Sequence, residues 1–209
     1  MIELDGFDSG AGRVDSAAWR TYAASIAARL GLSPTDGVFE VGCGSGAFLL
    51  ALKELGANVA GLDYSSALIS MAKMAMPEGE FITAEARELS PLPQYDFVVA
   101  NGVFHYFPDD SYAQAVLSSA LSKARRAVAI LEVPDLALRE ESERMRRDIL
   151  TPEQYEEKYR GLTHKYYSRK WFADIATHHD FDCQTFDQEI PGYAQNRFRF
   201  NCLMTRKSA

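Results

Sequence analysis

The chain has 209 residues, 47% hydrophobic and 24% charged, which suits one α/β domain with a buried core and excludes global disorder or a fibrous repeat. Its 22 basic and 29 acidic side chains leave a net charge of −7, which repels a phosphate backbone and disfavours nucleic acid as a substrate. The three cysteines, Cys43, Cys183 and Cys202, are too few and too dispersed for a disulfide framework or a metal site, so reduced thiols in a cytoplasmic protein are expected. Met1 to Gly12 lacks the basic start and apolar run of a signal peptide, and no stretch has transmembrane length, which points the same way.

In chain order, residues 16–30 carry Trp19, Tyr22, Ile26 and Leu30 at helical spacing, and Gly31 stands where the helix stops. The apolar run 38–41 predicts a strand, followed by a glycine-rich loop and a helix burying Phe48, Leu49, Leu52 and Leu55. Residues 58–62 read as a second strand. Ser65 caps a helix with Leu68, Met71, Ala72 and Ala75 on its stripe, ended by Pro77. Strands over 80–83, 95–100 and 126–133 surround a helix over 109–122. Buried strands alternating with helices predict a mostly parallel, Rossmann-like sheet with helices on both faces.

After Pro134 the pattern changes. Residues 136–150 are dense in Arg and Glu, with 139–148 expected as an exposed helical face carrying ion pairs. Thr151-Pro152-Glu153-Gln154 has the form of a capping box with Pro152 at the first helical position. Ser168 opens another helix, with Tyr167 and Phe172 placed for a hydrophobic staple. Residues 181–188 and 197–205 predict an antiparallel pair of strands at the sheet edge. The expected organisation is a single domain: a core over 15–135, an inserted helical lid over 136–180, and the strand pair over 181–209.

The chemistry-bearing motif is Phe39-Glu40-Val41-Gly42-Cys43-Gly44-Ser45-Gly46, set between a strand and a helix. Glycines there let the chain turn sharply and let a ligand approach closely. Asp63 ends the next strand about 20 residues on, where a carboxylate accepts hydrogen bonds from a ribose diol. Glu40 beside the loop repels a pyrophosphate and favours an ammonium or sulfonium. The Gly-x-Gly-x-Gly spacing also differs from that of a dinucleotide loop, so nicotinamide-dependent oxidoreduction is disfavoured.

The segment Glu40-Val41-Gly42-Cys43-Gly44-Ser45-Gly46 resembles the first motif of the class I S-adenosylmethionine-dependent methyltransferases. Gly61-Leu62-Asp63-Tyr64-Ser65, Ala84-Glu85-Ala86 and residues 95–107 resemble the later motifs in order. The resemblance covers residues 15–135 and implies a seven-stranded sheet whose last strand is antiparallel. By it, Gly42, Gly44 and Gly46 line the methionine part of S-adenosylmethionine and Asp63 binds the ribose. Tyr64 packs on the adenine. Glu85, where Asp is commoner, meets the adenine amino group, Ala86 donates its amide to the ring, and Asn101 and Gly102 offer backbone carbonyls.

On the acceptor side, the resemblance places His105 near the transferring methyl, where an imidazole suits proton removal. The run Gly161-Leu162-Thr163-His164-Lys165-Tyr166-Tyr167 suits closure over a compact substrate, through His164 and Tyr166. Arg197, Arg199 and Asn201 are expected on one strand face beside Tyr193, a setting for a phosphate or carboxylate. Glu132 ends the fifth strand over the same cleft. The expected function is methyl transfer to an oxygen or nitrogen of a small polar metabolite. An RNA or protein methyltransferase, or a non-catalytic module that keeps the cofactor fold, are the alternatives; no basic groove or recognition domain supports the former.

Overall fold

A computed structural model describes residues 1–2, 14–148, 151, 153–155 and 164–207. Seven strands form one sheet: β1 (Gly37–Val41), β2 (Asn58–Asp63), β3 (Glu80–Thr83), β4 (Tyr95–Asn101), β5 (Ala124–Pro134), β6 (Phe181–Asp187) and β7 (Arg199–Arg206). Their spatial order is β3-β2-β1-β4-β5-β7-β6. The first five run parallel, and β7 is antiparallel to both β5 and β6. The helices are α1 (Ser16–Leu30), α2 (Ala47–Glu54), α3 (Ser66–Ala75), α4 (Asp110–Lys123), α5 (Arg139–Asp148) and α6 (Arg169–His178).

Period-2 alternation splits the strand side chains between two cores. Val38, Val59, Phe97 and Val99 face α1, α2 and α3 through Ile26, Leu49, Leu52 and Ile69. Phe39, Leu62, Val98 and Ile130 face α4 and α6 through Val116, Leu117, Phe172 and Ile175. This is the three-layer α/β arrangement expected from the sequence, with the parallel strands hidden on both sides.

Local signals set the helix ends. The Asp15 carboxylate accepts from Ala18 N at 2.8 Å, and Gly31 closes α1 in the left-handed region at φ 64. Ser65 and Ser168 cap α3 and α6, and the Tyr167 and Phe172 rings meet 5.5 Å apart as a staple across the latter cap. Thr151 and Gln154 bond each other's backbone N–H reciprocally, while Pro152 lies outside the described residues.

Two expectations need correction: Leu55 caps α2 and is 42% exposed, and the buried stripe of α3 is shifted. In α3 the buried residues are Ile69 and Ala72, with Met76 beyond the helix, while Met71 is 38% exposed; the helix is phased by the seat that Met76 finds against Gly46. The antiparallel pair stands at the sheet edge as expected, with β7 between β5 and β6 and β6 outermost. Within 136–180, α6 carries Phe172 and Ile175 into the core as expected, and Phe172 and Ala176 are fully buried against the β5–β7 side of the sheet. No helix among the described residues is long and apolar enough to cross a membrane.

Candidate active site

The glycine loop leaves β1 at the carboxyl edge of the sheet. Gly42, Gly44 and Gly46 have φ of 70, 54 and 83, a region that costs a side-chain-bearing residue about 1–2 kcal/mol. Packing adds a second constraint. A Cβ on Gly42 would lie 2.6 Å from Val103, and one on Gly46 2.6 Å from the Met76 methyl. Gly42 N and Cys43 N both donate to Leu62 O, which ties the loop to the end of β2.

Asp63 at that end is 6% exposed, and its carboxylate accepts from Gly44 N at 2.9 Å and Ser65 N at 2.8 Å. The loop and the acid therefore form one unit. Since an ionised carboxylate has about four acceptor positions, two well-formed bonds still leave capacity for a diol. Glu40, on β1 beneath the loop, is buried. Beside Asp63, Tyr64 is 75% exposed and free to cover a flat ring. Ala86 is buried at the start of the short 3-10 helix Ala86–Glu88, and the exposed Glu85 accepts from the Tyr112 hydroxyl at 3.3 Å. Asn101 is buried at the end of β4, its Oδ1 accepting from the Tyr22 hydroxyl at 3.4 Å, and Gly102 follows at φ 69.

Across the cleft, β5 is irregular. Its register against β7 shifts between Ile130 and Val133, and Glu132 sits in this bulge at φ 60. The Asn201 side chain takes the ladder's place by accepting from Glu132 N at 2.9 Å. The bulge aims the Glu132 carboxylate at three partners. Arg199 Nε lies 2.9 Å from Oε1, the Tyr193 hydroxyl donates to Oε1 at 2.7 Å, and His105 Nδ1 stands 3.7 Å from Oε2. Glu132, Arg199 and His105 are all buried.

Main-chain bonds hold the facing segment in place. Lys165 N donates to His105 O at 2.9 Å and the Tyr167 hydroxyl donates to Phe104 O at 2.9 Å, so His164 lies 4.9 Å from His105, ring centre to ring centre. Arg146, from α5, donates to His164 Nδ1 at 3.2 Å and to the Tyr166 hydroxyl. An arginine only donates, so His164 carries its proton on Nε2. Burial, then Arg146 and Arg199, push His164 down to about 4. Burial, followed by Arg199, His164 and Arg146, holds His105 well below the usual imidazole range. Both rings are neutral at pH 7. Burial raises the Glu132 carboxyl, while Arg199 and the Tyr193 hydroxyl oppose that rise.

His105, Glu132, His164, Tyr166, Tyr193 and Arg199 thus converge as the sequence suggested, but Arg197 does not. It lies in the 3-10 helix Asn196–Phe198, off the strand alternation, and pairs with Glu141 on the surface at 2.8 Å. Of the polar run, Gly161, Leu162 and Thr163 lie outside the described residues. Conversely, α5 is not wholly a solvated face. Arg139 and Arg147 pair with Glu143, as expected, while Arg146 is 5% exposed and points inward. Gln188 also escaped sequence reasoning: it is 3% exposed, bears on the Tyr22 hydroxyl, and has no well-formed hydrogen bond at its side-chain amide. No motif marks either residue; the inward turn of Arg146 is set by Tyr166 and His164, about one helix length away in sequence. A separate cavity of about 370 Å³ between α1 and α2 is lined by Trp19, Ala47 and Leu50 and lies outside this cluster.

Residues 39–129 match the family described as a methyltransferase domain. The trans-aconitate 2-methyltransferase of Enterobacter sp. (strain 638) is 34% identical over 116 residues, covering 54% of this chain and 45% of that protein, so the match spans about half of each. Among solved structures, magnesium protoporphyrin IX methyltransferase from Synechocystis PCC 6803 with bound S-adenosylhomocysteine superposes with a TM-score of 0.68 at 21% identity, covering 99% of both chains. The 1,6-didemethyltoxoflavin-N1-methyltransferase of Burkholderia thailandensis has a TM-score of 0.62 at 18% identity, with 93% of this chain and 80% of that one covered.

Proposed function

We propose that the chain is a class I S-adenosylmethionine-dependent methyltransferase that methylates an oxygen or nitrogen of a small polar metabolite. The observation that carries this reading is the bond from Gly44 N to Asp63, which makes the glycine turn and the ribose-binding acid a single preorganised cradle. Asp63 keeps acceptor capacity for the ribose hydroxyls, Tyr64 covers the adenine, Glu85 and Ala86 read its edge, and Glu40 attracts the cationic end. When bound, the cofactor supplies a methyl group on a sulfonium, open to in-line attack.

The residues of this chain then position the nucleophile and exclude water. His105, neutral and buried, takes the proton of an attacking hydroxyl or amine, and Glu132 orients its ring. We read α5 and the segment around His164 and Tyr166 as the cover over the acceptor. Small size and polarity of the acceptor are supported by the buried polar wall, by the acidic surface, and by relatives whose names specify trans-aconitate and didemethyltoxoflavin.

Thermal unfolding with S-adenosylhomocysteine against an NAD control tests the reading. At 100 times its dissociation constant a ligand stabilises by about 2.7 kcal/mol, a midpoint rise of roughly 5–10 °C for a chain of this size. A rise with NAD alone would reverse the assignment.

A further inference from the structure

We propose that Asn196 is a positioning residue of the acceptor site: it pins the β6–β7 loop so that the Tyr193 hydroxyl sets the Glu132 carboxylate, and through it the His105 ring. The inference rests on the reading of His105 as the group that takes the acceptor's proton. The loop over 188–198 leaves the carboxyl edge of the sheet, because β6 is antiparallel to β7 and so runs parallel to β5. Burial fixes its two ends, Ile190 being fully buried in the core that faces α1 and Phe198 1% exposed. Pro191 and Gly192 between them are exposed, so packing does not fix the turn there. The Asn196 amide fixes it instead. Its Oδ1 accepts from Ile190 N at 2.9 Å and its Nδ2 donates to Ile190 O at 2.7 Å, and only one orientation of the amide makes both bonds. Ile190 O also accepts from Tyr193 N at 3.1 Å, and Tyr193 O accepts from Asn196 N at 3.2 Å. Tyr193 is thus enclosed between the two residues that the amide joins.

The Tyr193 hydroxyl is the well-formed donor to the Glu132 carboxylate. It meets Oε1 at 2.7 Å, whereas Arg199 Nε, 2.9 Å from the same oxygen, makes an ion pair whose N–H is not directed at it. Burial and the adjacent Glu132 charge raise the Tyr193 phenol, so it stays protonated and donates. With Oε1 anchored, Oε2 is the oxygen turned to His105 Nδ1, 3.7 Å away. A neutral imidazole facing a carboxylate carries its proton on that nitrogen, since two lone pairs would repel. The lone pair is then on Nε2, which takes the proton of an acceptor while Glu132 stabilises the imidazolium that forms. Without Tyr193 the carboxylate is held by the misdirected Arg199 contact alone and can turn, and both tautomers of His105 become populated.

The test reads the imidazole nitrogens by two-bond proton–nitrogen correlation NMR at neutral pH, on the chain with and without S-adenosylhomocysteine. The chain has four histidines, and His105→Gln identifies the His105 pattern. Wild type is expected to show His105 as the single Nδ1–H form. Tyr193→Phe should lose that single pattern, both ring nitrogens moving toward averaged shifts, and Asn196→Ala should reproduce the change. His178 and His179, bonded to Asp174 O and to the Ser118 hydroxyl, should stay unmoved in both variants, which a general loosening of the fold would not allow. Combining the two substitutions should add nothing at His105, because Asn196 acts through Tyr193. If Asn196→Ala does not fold, Asn196→Asp carries the test, since it keeps the bond from Ile190 N and loses the one to Ile190 O. A bare Nδ1 in wild type, a wild-type pattern in Tyr193→Phe or in the Asn196 variant, a further change in the double variant, or movement of all four histidines would each overturn the proposal. Failure of S-adenosylhomocysteine to bind overturns the cofactor reading alone, because the ligand-free spectra still decide the role of Asn196.

Discussion

Asp63 shows how one side chain serves fold and site together. Asp63→Ala strands the buried Gly44 N–H at about 1–3 kcal/mol and removes the partner of the half-buried Ser65 N–H. The same substitution should lower S-adenosylhomocysteine affinity by about 10- to 100-fold, read by calorimetry beside a urea unfolding curve. A variant that unfolds earlier but binds normally would separate the acid from the cofactor. His105 is tested by turnover: His105→Ala should slow methylation of a proton-bearing acceptor about 100-fold at saturating cofactor, and an unchanged rate removes it from proton transfer. His164 carries a pH signature. Its folded value is near 4 and its unfolded value near 6.5, so between them the unfolded chain binds the extra proton and stability is lost as pH falls through that window. The raised Glu132 carboxyl acts with the opposite sign, so the comparison of wild type with His164→Gln isolates the imidazole. Wild type should lose up to about 3 kcal/mol more than the variant between pH 7 and pH 4. Parallel stability curves would show that the imidazole is not held neutral.

Among the elements, β5 is decisive. A regular strand would present successive side chains to opposite faces, but the bulge inserts one residue, reverses the phase locally and holds Glu132 in the left-handed region. Asn201 on β7 sustains it through the bond to Glu132 N. Asn201→Ala is therefore expected to destabilise the chain by about 1–3 kcal/mol and to impair acceptor turnover while cofactor affinity stays constant. Loss of cofactor affinity would mean that the bulge supports the glycine loop as well. Helix α5 divides its faces in the same element-scale way: Arg139, Glu143 and Arg147 pair at the surface, where such pairs contribute about 0.3–0.5 kcal/mol, and Arg146 alone turns in.

Over the whole molecule, the candidate site is split between the two halves of the sheet. The β1–β3 side carries the glycine loop and Asp63, and the β5–β7 side carries Glu132, Tyr193 and Arg199. An aromatic cluster backs the second half. Phe172 is fully buried and packs on Phe104 at 5.7 Å and on Phe200 at 5.9 Å, the neighbours in sequence of His105 and Arg199. Phe172→Ala should cost about 3–5 kcal/mol and, at a temperature where the variant is folded, reduce acceptor turnover more than cofactor affinity. Equal losses in both would deny the division.

The geometry of the glycine loop and Asp63 was legible in the sequence because its signals are local. A glycine turn, an acid at the next strand end and a Ser cap each act within a few residues, and strand periodicity reports burial without knowledge of the partner. Asp63, Gly42, Gly44 and Gly46 are found together for that reason. The acceptor half depends on bonds that no local pattern encodes: Asn201 and Tyr193 reach Glu132 from 69 and 61 residues away. Arg197 and Arg199 look equivalent in an alternating run, and a 3-10 turn closing before β7 sends one to the surface and the other inside. Arg146 looks like any other member of a charged helix until Tyr166 and His164 arrive to receive its donors. The sequence by itself determined the sheet, its helices and the glycine loop beside Asp63; tertiary structure alone decided which charges are buried, because a buried charge is tolerated only where distant groups compensate it.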